Sequence, residues 1–297
     1  MKIAVLISNR MRQIAFDHLS IRHINTLRKI KWFFIKPFIN DEKAICKFYY
    51  SELEIRILEQ LLPEMQELHS PVILDIGANI GSYSYYLSRF VIGNSGICIG
   101  FEPRTDIWNR LKKNVKSDNF VAEKLALSNR TGFGNLFLHT SHGLSSLIAK
   151  PEFEGFRSER VSLTTLDSYV DSRNINSVAL IKIDVEGHEL EVLEGASETI
   201  QKYKPIILCE SENRHLTLQR KSTEQVISYM SSFHYDTFVL SKESLQIFPV
   251  EEINIPRDKT NNSEYYYNYW FIHKYHVPDI VMKIRKILKR LQKEEVS

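Results

Sequence analysis

The chain has few of the residues that build disulfide frameworks or metal clusters: 297 residues hold 3 cysteines, Cys46, Cys98 and Cys209. An odd, sparse set with no Cys-x-x-Cys pair excludes a stapled scaffold and gives no zinc signature. Cys98 and Cys209 fall inside apolar runs and read as core thiols, a usage that fits a reducing compartment. Long hydrophobic runs are missing as well. No stretch approaches the roughly 18 uninterrupted apolar residues that a membrane-spanning helix needs. The short apolar run at Met1–Ser8 meets Asn9, Arg10 and Arg12 with no small-residue cleavage site, so a signal peptide is not expected and the expected location is cytoplasmic. Charge of one sign is also lacking. Lys and Arg total 39 against 36 Asp and Glu, a net charge of +3 that makes no case for a nucleic-acid partner. No repeat or low-complexity segment stands out. What remains is an ordinary globular composition, 43% hydrophobic and 25% charged, long enough for one large domain with a flank or two small domains.

From Val72 onward, short apolar runs alternate with amphipathic stretches. Val72–Asp75, Ile97–Glu102, part of Phe120–Leu127, Val178–Asp184 and Pro205–Glu210 read as strands. Helices are expected over Ser82–Phe90, over Thr105–Val115 with Thr105 as its N-cap, and over Glu189–Tyr203. This alternation predicts an α/β fold with a Rossmann-like, doubly wound, mostly parallel sheet. Right-handed crossovers put the C-terminal ends of the strands on one edge, where ligands bind. Asp75, Glu102, Asp184 and Glu210 each close an apolar run, so all four carboxylates are expected to face one cleft. Tyr235–Leu240 and Tyr265–His273 look like a closing pair of strands, and Gly134–Leu163 like a hairpin-like insertion. The expected organisation is a mainly helical flank over 1–70, clearest at Lys43–Leu62, then a central domain over 71–276, then a basic amphipathic helix over 277–297.

The loop Asp75-Ile-Gly77-Ala-Asn79-Ile-Gly81 joins a strand to a helix. Gly77 permits a tight turn, Gly81 a close helix start, and exposed N–H groups there can hold an anionic group. Asn79 stands where a dinucleotide loop needs its second glycine, which turns the reading away from NAD and towards a ligand without a diphosphate. Glu102 closes the second strand 27 residues after Asp75 and is placed to accept both hydroxyls of a ribose. Loop and carboxylate together point to a nucleoside-containing ligand, and S-adenosylmethionine (SAM) suits them better than NAD.

Four segments carry a family resemblance: Val72–Gly81, Phe101-Glu-Pro103, Thr164-Thr-Leu-Asp167, and Ile181-Lys-Ile-Asp-Val-Glu-Gly-His-Glu189 followed by Leu193-Glu-Gly195. Over residues 71–211 the sequence resembles the FkbM-type SAM-dependent methyltransferases. The resemblance implies a methyltransferase domain over 71–276, SAM as donor, and O-methylation of a sugar, glycan or natural-product hydroxyl. It implies that Asp75, Gly77, Asn79 and Gly81 contact the methionine part of SAM, that Glu102 holds the ribose, and that Ala126-Leu-Ser128 lies by the adenine. Methylation of nitrogen or of another small molecule, and SAM binding without turnover, stay open as alternatives. An Asn/Asp-Pro-Pro-aromatic motif, seen in many methylators of amino groups in nucleic acids, is missing.

A hydroxyl acceptor requires a base within hydrogen-bond reach. His188, Asp184 and Glu186 are the candidates: His188 for its near-neutral titration, the carboxylates as bases or as groups that orient the acceptor. Asp184, Glu186, His188 and Glu189 are ligand-type side chains, but neighbours on a turn seldom all point inward, and no metal is expected. His139–Ser146 reads as a substrate-side loop, and Glu210, Glu212, Asn213 and His215 as further acceptor-side groups. The last helix sets Ile280, Val281, Ile284, Ile287, Leu288 and Leu291 on one face and Lys283, Arg285, Lys286, Lys289, Arg290 and Lys293 on the rest. Such a helix can lie on an anionic membrane, together with basic Arg28–Lys36, or it can pack on its own domain or on a second copy in a homo-oligomer. The expected partner is a small-molecule or glycan acceptor.

Overall fold

The computed structural model describes residues 53–64, 70–91, 95–139, 145–149, 157–252 and 266–296. The expected helical flank before residue 53, Arg28–Lys36 included, lies outside them. The first described helix, α1 (Leu53–Glu64), is followed by β1 (Val72–Ile76), α2 (Ser84–Phe90), β2 (Ile97–Phe101), α3 (Thr105–Asn114) and β3 (Phe120–Glu123). Three strands then leave the main sheet, β4 (Ala126–Leu127), β5 (Gly132–Phe137) and β6 (Ser158–Thr164). The chain returns through α4 (Leu166–Ser172), β7 (Val178–Ile183), α5 (Glu189–Glu194), α6 (Ser197–Tyr203) and β8 (Ile206–Glu210). It continues through α7 (Asn213–Leu216), α8 (Thr223–Ser232), β9 (Tyr235–Ser241), β10 (Gln246–Pro249), β11 (Asn268–His273) and α9 (Val277–Val296).

The main sheet has eight strands in the order β10-β9-β11-β8-β7-β1-β2-β3. β3, β2, β1, β7 and β8 run parallel, while β11 enters antiparallel between β8 and β9. The mostly apolar runs explain the parallel centre: every residue of β1 and β7 is buried, as both faces are covered. One face packs Leu166, Val192, Ile200, Val226 and Met230 from α4, α5, α6 and α8. The other packs α1, α2 and α9, the last contributing Ile280, Val281, Ile284, Ile287, Leu288 and Leu291. The whole apolar face expected for α9 therefore lies in the core, and its membrane-contact reading keeps only the basic side. Among the described residues no helix is long and apolar enough to cross a membrane. Cys98 and Cys209 are free and buried.

Four local expectations change. The third strand is split, so that β3 joins the main sheet and β4 pairs with β6 in a separate three-stranded sheet with β5. The stretch read as a hairpin-like insertion thus supplies that second sheet. The helix expected over Glu189–Tyr203 breaks after Glu194. Gly195 gives its carbonyl to Asp167 N–H (3.0 Å), and the Asp167 carboxylate caps the next helix by accepting from Glu198 N–H (3.0 Å) and Thr199 N–H (2.8 Å). Thr105 is not an N-cap. Arg104 holds that place, and the Thr105 hydroxyl turns to Glu159 of β6. Finally β10, unpatterned in the sequence, pairs with β9. The segment Thr164–Asp167 is accounted for as capping: Thr165 caps α4 by accepting from Ser168 N–H (3.0 Å), and Asp167 caps α6.

Candidate active site

The strand order reverses at β1, whose neighbours β2 and β7 lead to opposite edges of the sheet, and a ligand crevice is expected at the C-terminal ends there. A cavity opens at that point. The turn after β1 lines it with Gly77 and Asn79, the end of β2 with Phe101, Glu102 and Pro103, and the β3–β4 link with Leu125, Ala126 and Leu127. Asp184, Val185, Glu186 and His188 line it from the end of β7, and Ser145, Ser146 and Leu147 close over it.

Backbone geometry shapes the first wall. Gly77 has φ +80°, and a Cβ there would stand 1.8 Å from the Asp184 carbonyl oxygen, so only glycine lets the turn lie against the end of β7. Gly81 has φ +95° and presses on Leu111 and Val115 of the α3 region, which seats the start of α2. Asn79 takes φ +51°, a conformation its short amide tolerates, and its Oδ1 accepts from Ile80 N–H (2.7 Å).

Glu102 is 8% exposed. Its two oxygens accept from Asn79 N–H (3.0 Å) and Arg104 N–H (2.9 Å), bonds that fix the plane of the carboxylate and tie the β1 turn to the β2 end. Burial pushes its pKa up to about 7, against the pull of those two N–H groups. Each oxygen keeps a second lone pair for a ligand hydroxyl. Beside it, Phe101, Leu125, Ala126 and Leu127 form an apolar slot. One carboxylate for a vicinal diol beside an apolar slot fits a nucleoside, and hence SAM.

Not every expected residue reaches the cavity. Asp75 is buried inside β1 and accepts from the Ser84 hydroxyl, with burial raising its pKa. Its contact is with α2 rather than with the cavity, because it precedes the turn by two residues and shares its register with the buried Lys182. Gly81 likewise serves packing. Ser128 is buried behind the wall, with its Oγ 3.0 Å from His188 Nε2. The His188 Nδ1 faces Glu191 Oε2 at 3.6 Å, and Lys221 bonds Glu191 in turn. His188 thus lines the cavity with Nε2 engaged by Ser128 and Nδ1 making no hydrogen bond among the described residues, and burial lowers its pKa.

Asp184 and Glu186 do reach the cavity. Asp184 keeps 37% of its side chain exposed. Loss of bulk water at the cleft floor raises its pKa to about 6; Lys182 opposes this, while Glu186, Asp75 and Glu212 add to it. Glu186 has φ +57° and its Oε2 lies 2.9 Å from His215 Nε2. Glu210 is raised well above the carboxylate range by burial and by Asp184. Glu210, Glu212, Asn213 and His215 do not line the cavity: Glu212 holds Arg214, Asn213 Oδ1 accepts from Thr223 N–H (2.8 Å), and His215 backs Glu186. The substrate-side loop is met in part. Ser146 Oγ donates to the Glu186 carbonyl (2.9 Å), and Arg104 binds the His139 carbonyl (3.1 Å) and Ser145 Oγ (3.0 Å); residues 140–144 lie outside the described ones.

Sequence reasoning missed Lys182. It is 1% exposed in the middle of the sheet, a lysine in an otherwise apolar strand, and that interruption of Val178–Ile183 is the signal that marks it.

A turn with positive-φ residues after β1, a carboxylate after β2 and a carboxylate after β7 share one cavity at the switch point of a doubly wound domain, an arrangement that suits the SAM-dependent methyltransferase class. A family model described as the methyltransferase FkbM domain matches residues 75–237, more than half of the chain, and the chain belongs to that family. It is similar to the hexuronic acid methyltransferase AglP of Haloferax volcanii, 28% identical over 152 residues that cover 51% of this chain and 60% of that protein. It is also similar to the 2-O-methyltransferase NoeI of Sinorhizobium fredii, 28% identical over 184 residues, 56% of this chain and 74% of that one. Among solved structures, an FkbM methyltransferase from Methylobacillus flagellatus superposes with a TM-score of 0.39 at 17% identity, over 68% of this chain and 44% of that chain. The match thus spans less than two thirds of the first of these curated relatives and less than half of that structure. The family's methyl donor is SAM.

Proposed function

We propose that the chain O-methylates a sugar or glycan hydroxyl, with Glu102 holding the ribose of SAM and Asp184 acting as the base. The observation that carries this reading is the single cavity shared by Glu102, the Gly77–Asn79 turn and the partly exposed Asp184 carboxylate. The names of the two curated relatives, one a hexuronic acid methyltransferase and one a 2-O-methyltransferase, support the acceptor class.

Bound SAM supplies a methyl group already activated on a sulfonium. The protein's task is alignment and proton removal. Glu102 accepts hydrogen bonds from the ribose hydroxyls, and the backbone around Gly77 and Asn79 gives the methionine end a close bed. The acceptor oxygen forms its bond to the methyl carbon as the carbon–sulfur bond breaks, the electron pair returning to sulfur. The hydroxyl proton passes to the Asp184 carboxylate. Glu186, 2.9 Å from His215, orients the acceptor's neighbouring hydroxyl. His188 serves as a wall between the two ends of the cavity.

The test has two stages. Calorimetry with SAM, S-adenosylhomocysteine and NAD comes first; tight NAD binding without SAM binding sinks the reading. Methyl-labelled SAM is then offered with methyl glycosides of neutral hexoses, a hexuronate and an amino sugar, and products are read by mass spectrometry. Label on a hydroxyl is the expected result. Label confined to the amine would replace O-methylation with N-methylation.

A further inference from the structure

Lys182 is a buried cation in an otherwise apolar strand. Its Nζ donates to the Ile183 carbonyl (3.0 Å), stands 4.0 Å from Asp184 Oδ2, and lies 5.2 Å from the centre of the Tyr83 ring. In the ladder it is the direct neighbour of Asp75 on β1 and of Leu208 on β8. The charged and titratable groups around it come from three strands and their ends: Asp75 from β1, Asp184 just past β7, and Cys209 and Glu210 from β8. Asp184 in turn faces Glu186 and Glu212, whose oxygens lie 2.9 Å and 3.7 Å from His215 Nε2.

Taking an ammonium out of water costs several kcal/mol, and a buried ion pair is seldom more stabilising than well-packed apolar residues of similar volume. Stability alone therefore gives no reason for Lys182 in the core of β7. Position does. The ammonium lies behind the cleft floor, and Asp184 is the member of its carboxylate set that also opens to the cavity. Asp75, its ladder neighbour on β1, accepts from the Ser84 hydroxyl at the start of α2, behind the cofactor turn.

We propose that Lys182 is a positioning residue for methyl transfer: from behind the cleft floor it orients the Asp184 carboxylate and keeps it ionised, ready to take the acceptor's proton. The idea rests on the reading of Asp184 as base. Burial works against the charge on Lys182, but the neighbouring carboxylates, Asp184 first, more than offset it and raise its pKa. In return, Lys182 is the counterweight that keeps Asp184 from rising further among Glu186, Asp75 and Glu212.

The test needs no acceptor. The full chain is labelled with ¹³C at the aspartate carboxyl carbon, and the Asp184 signal is assigned by its loss in Asp184→Asn. In Lys182→Met the Asp184 titration midpoint should rise by about 1–3 pH units, the effect of losing an opposite charge at this range; Lys182→Arg should restore most of it. A Lys182→Met protein that binds SAM normally and titrates Asp184 at the wild-type midpoint overturns the proposal. Should Lys182→Met not fold, the reciprocal measurement decides. The Lys182 ¹³Cε titration should fall in Asp184→Asn, and an unmoved midpoint overturns the idea equally. SAM calorimetry on the same samples keeps the two readings apart. A wild-type chain that does not bind SAM defeats the methyltransferase reading, whereas intact SAM binding with an indifferent Asp184 defeats only the role of Lys182.

Discussion

Replacing Gly77 by alanine tests how the cofactor turn is held. The residue has φ +80°, where an L side chain costs about 1–2 kcal/mol. The new Cβ would also stand 1.8 Å from the Asp184 carbonyl oxygen. That oxygen has little freedom to retreat, because Asp184 N–H is bonded to the Ile76 carbonyl (3.0 Å) and so ties the end of β7 to β1. Forced overpacking of this kind adds about 1–3 kcal/mol. Gly81→Ala is the matched control. Its φ of +95° carries similar strain, but its Cβ would meet Val115 Cγ2 at 2.5 Å and Leu111 Cδ1 at 2.7 Å, side-chain methyl groups rather than backbone. Urea unfolding with unchanged slope should therefore show a loss of about 2–5 kcal/mol for Gly77→Ala and about 1–2 kcal/mol for Gly81→Ala. Calorimetry should show SAM affinity falling more in the first, since separating the turn from β7 widens the cavity. Equal stability of the two variants, or a Gly77→Ala protein with wild-type SAM affinity, would show that the turn is not pinned by that contact.

Three further outcomes follow from the same geometry. Glu102→Gln should weaken SAM binding by about 1–3 kcal/mol through lost charge-assisted bonds to the ribose. Because burial lifts the Glu102 pKa to about 7, wild-type affinity should rise as pH climbs through that value and ionises the carboxylate, whereas the variant should be flat; a pH-independent wild type refutes the ribose assignment. Methyl transfer should likewise gain with pH around 6, where Asp184 loses its proton, and should collapse in Asp184→Asn while His188→Ala keeps a substantial turnover; the reverse pattern would return the base to His188. Deleting residues 277–297 removes six buried apolar side chains worth on the order of 10 kcal/mol gross, comparable with the whole net stability of a domain, so the shortened chain should give no cooperative melt in circular dichroism.

Much of the central architecture was legible because parallel strands announce themselves. Val72–Ile76, Ile97–Phe101, Val178–Ile183 and Ile206–Glu210 are short, mostly apolar runs, and Glu102 and Asp184 directly after two of them mark the ligand edge. Glu102 and the Gly77 turn were readable for the same reason, since both sit at strand ends. Asp75 was misplaced because pattern alone does not tell the last buried strand residue from the first residue past the strand. The break after Glu194 escaped notice because its cause is distant in sequence: Asp167 claims the Gly195 carbonyl and the N–H groups that begin α6. Ser128 and His188 are 60 residues apart and find each other only in the fold, which is why the imidazole looked free. Lys182 was hidden in plain view, since a single lysine in an apolar run is easily taken for a strand edge.

The antiparallel entry of β11 between β8 and β9 has a consequence for how the molecule is made. The two strands it separates are synthesised well before it, yet neither can pair with the other in the finished register. Until Asn268–His273 leaves the ribosome, β8 presents an open edge and the β9–β10 hairpin has no neighbour on its inner side. Folding of this sheet is thus held back until β11 is made, with two unpaired edges exposed meanwhile, and a chain stopped before β11 carries an aggregation-prone slot in the middle of its sheet rather than a frayed end.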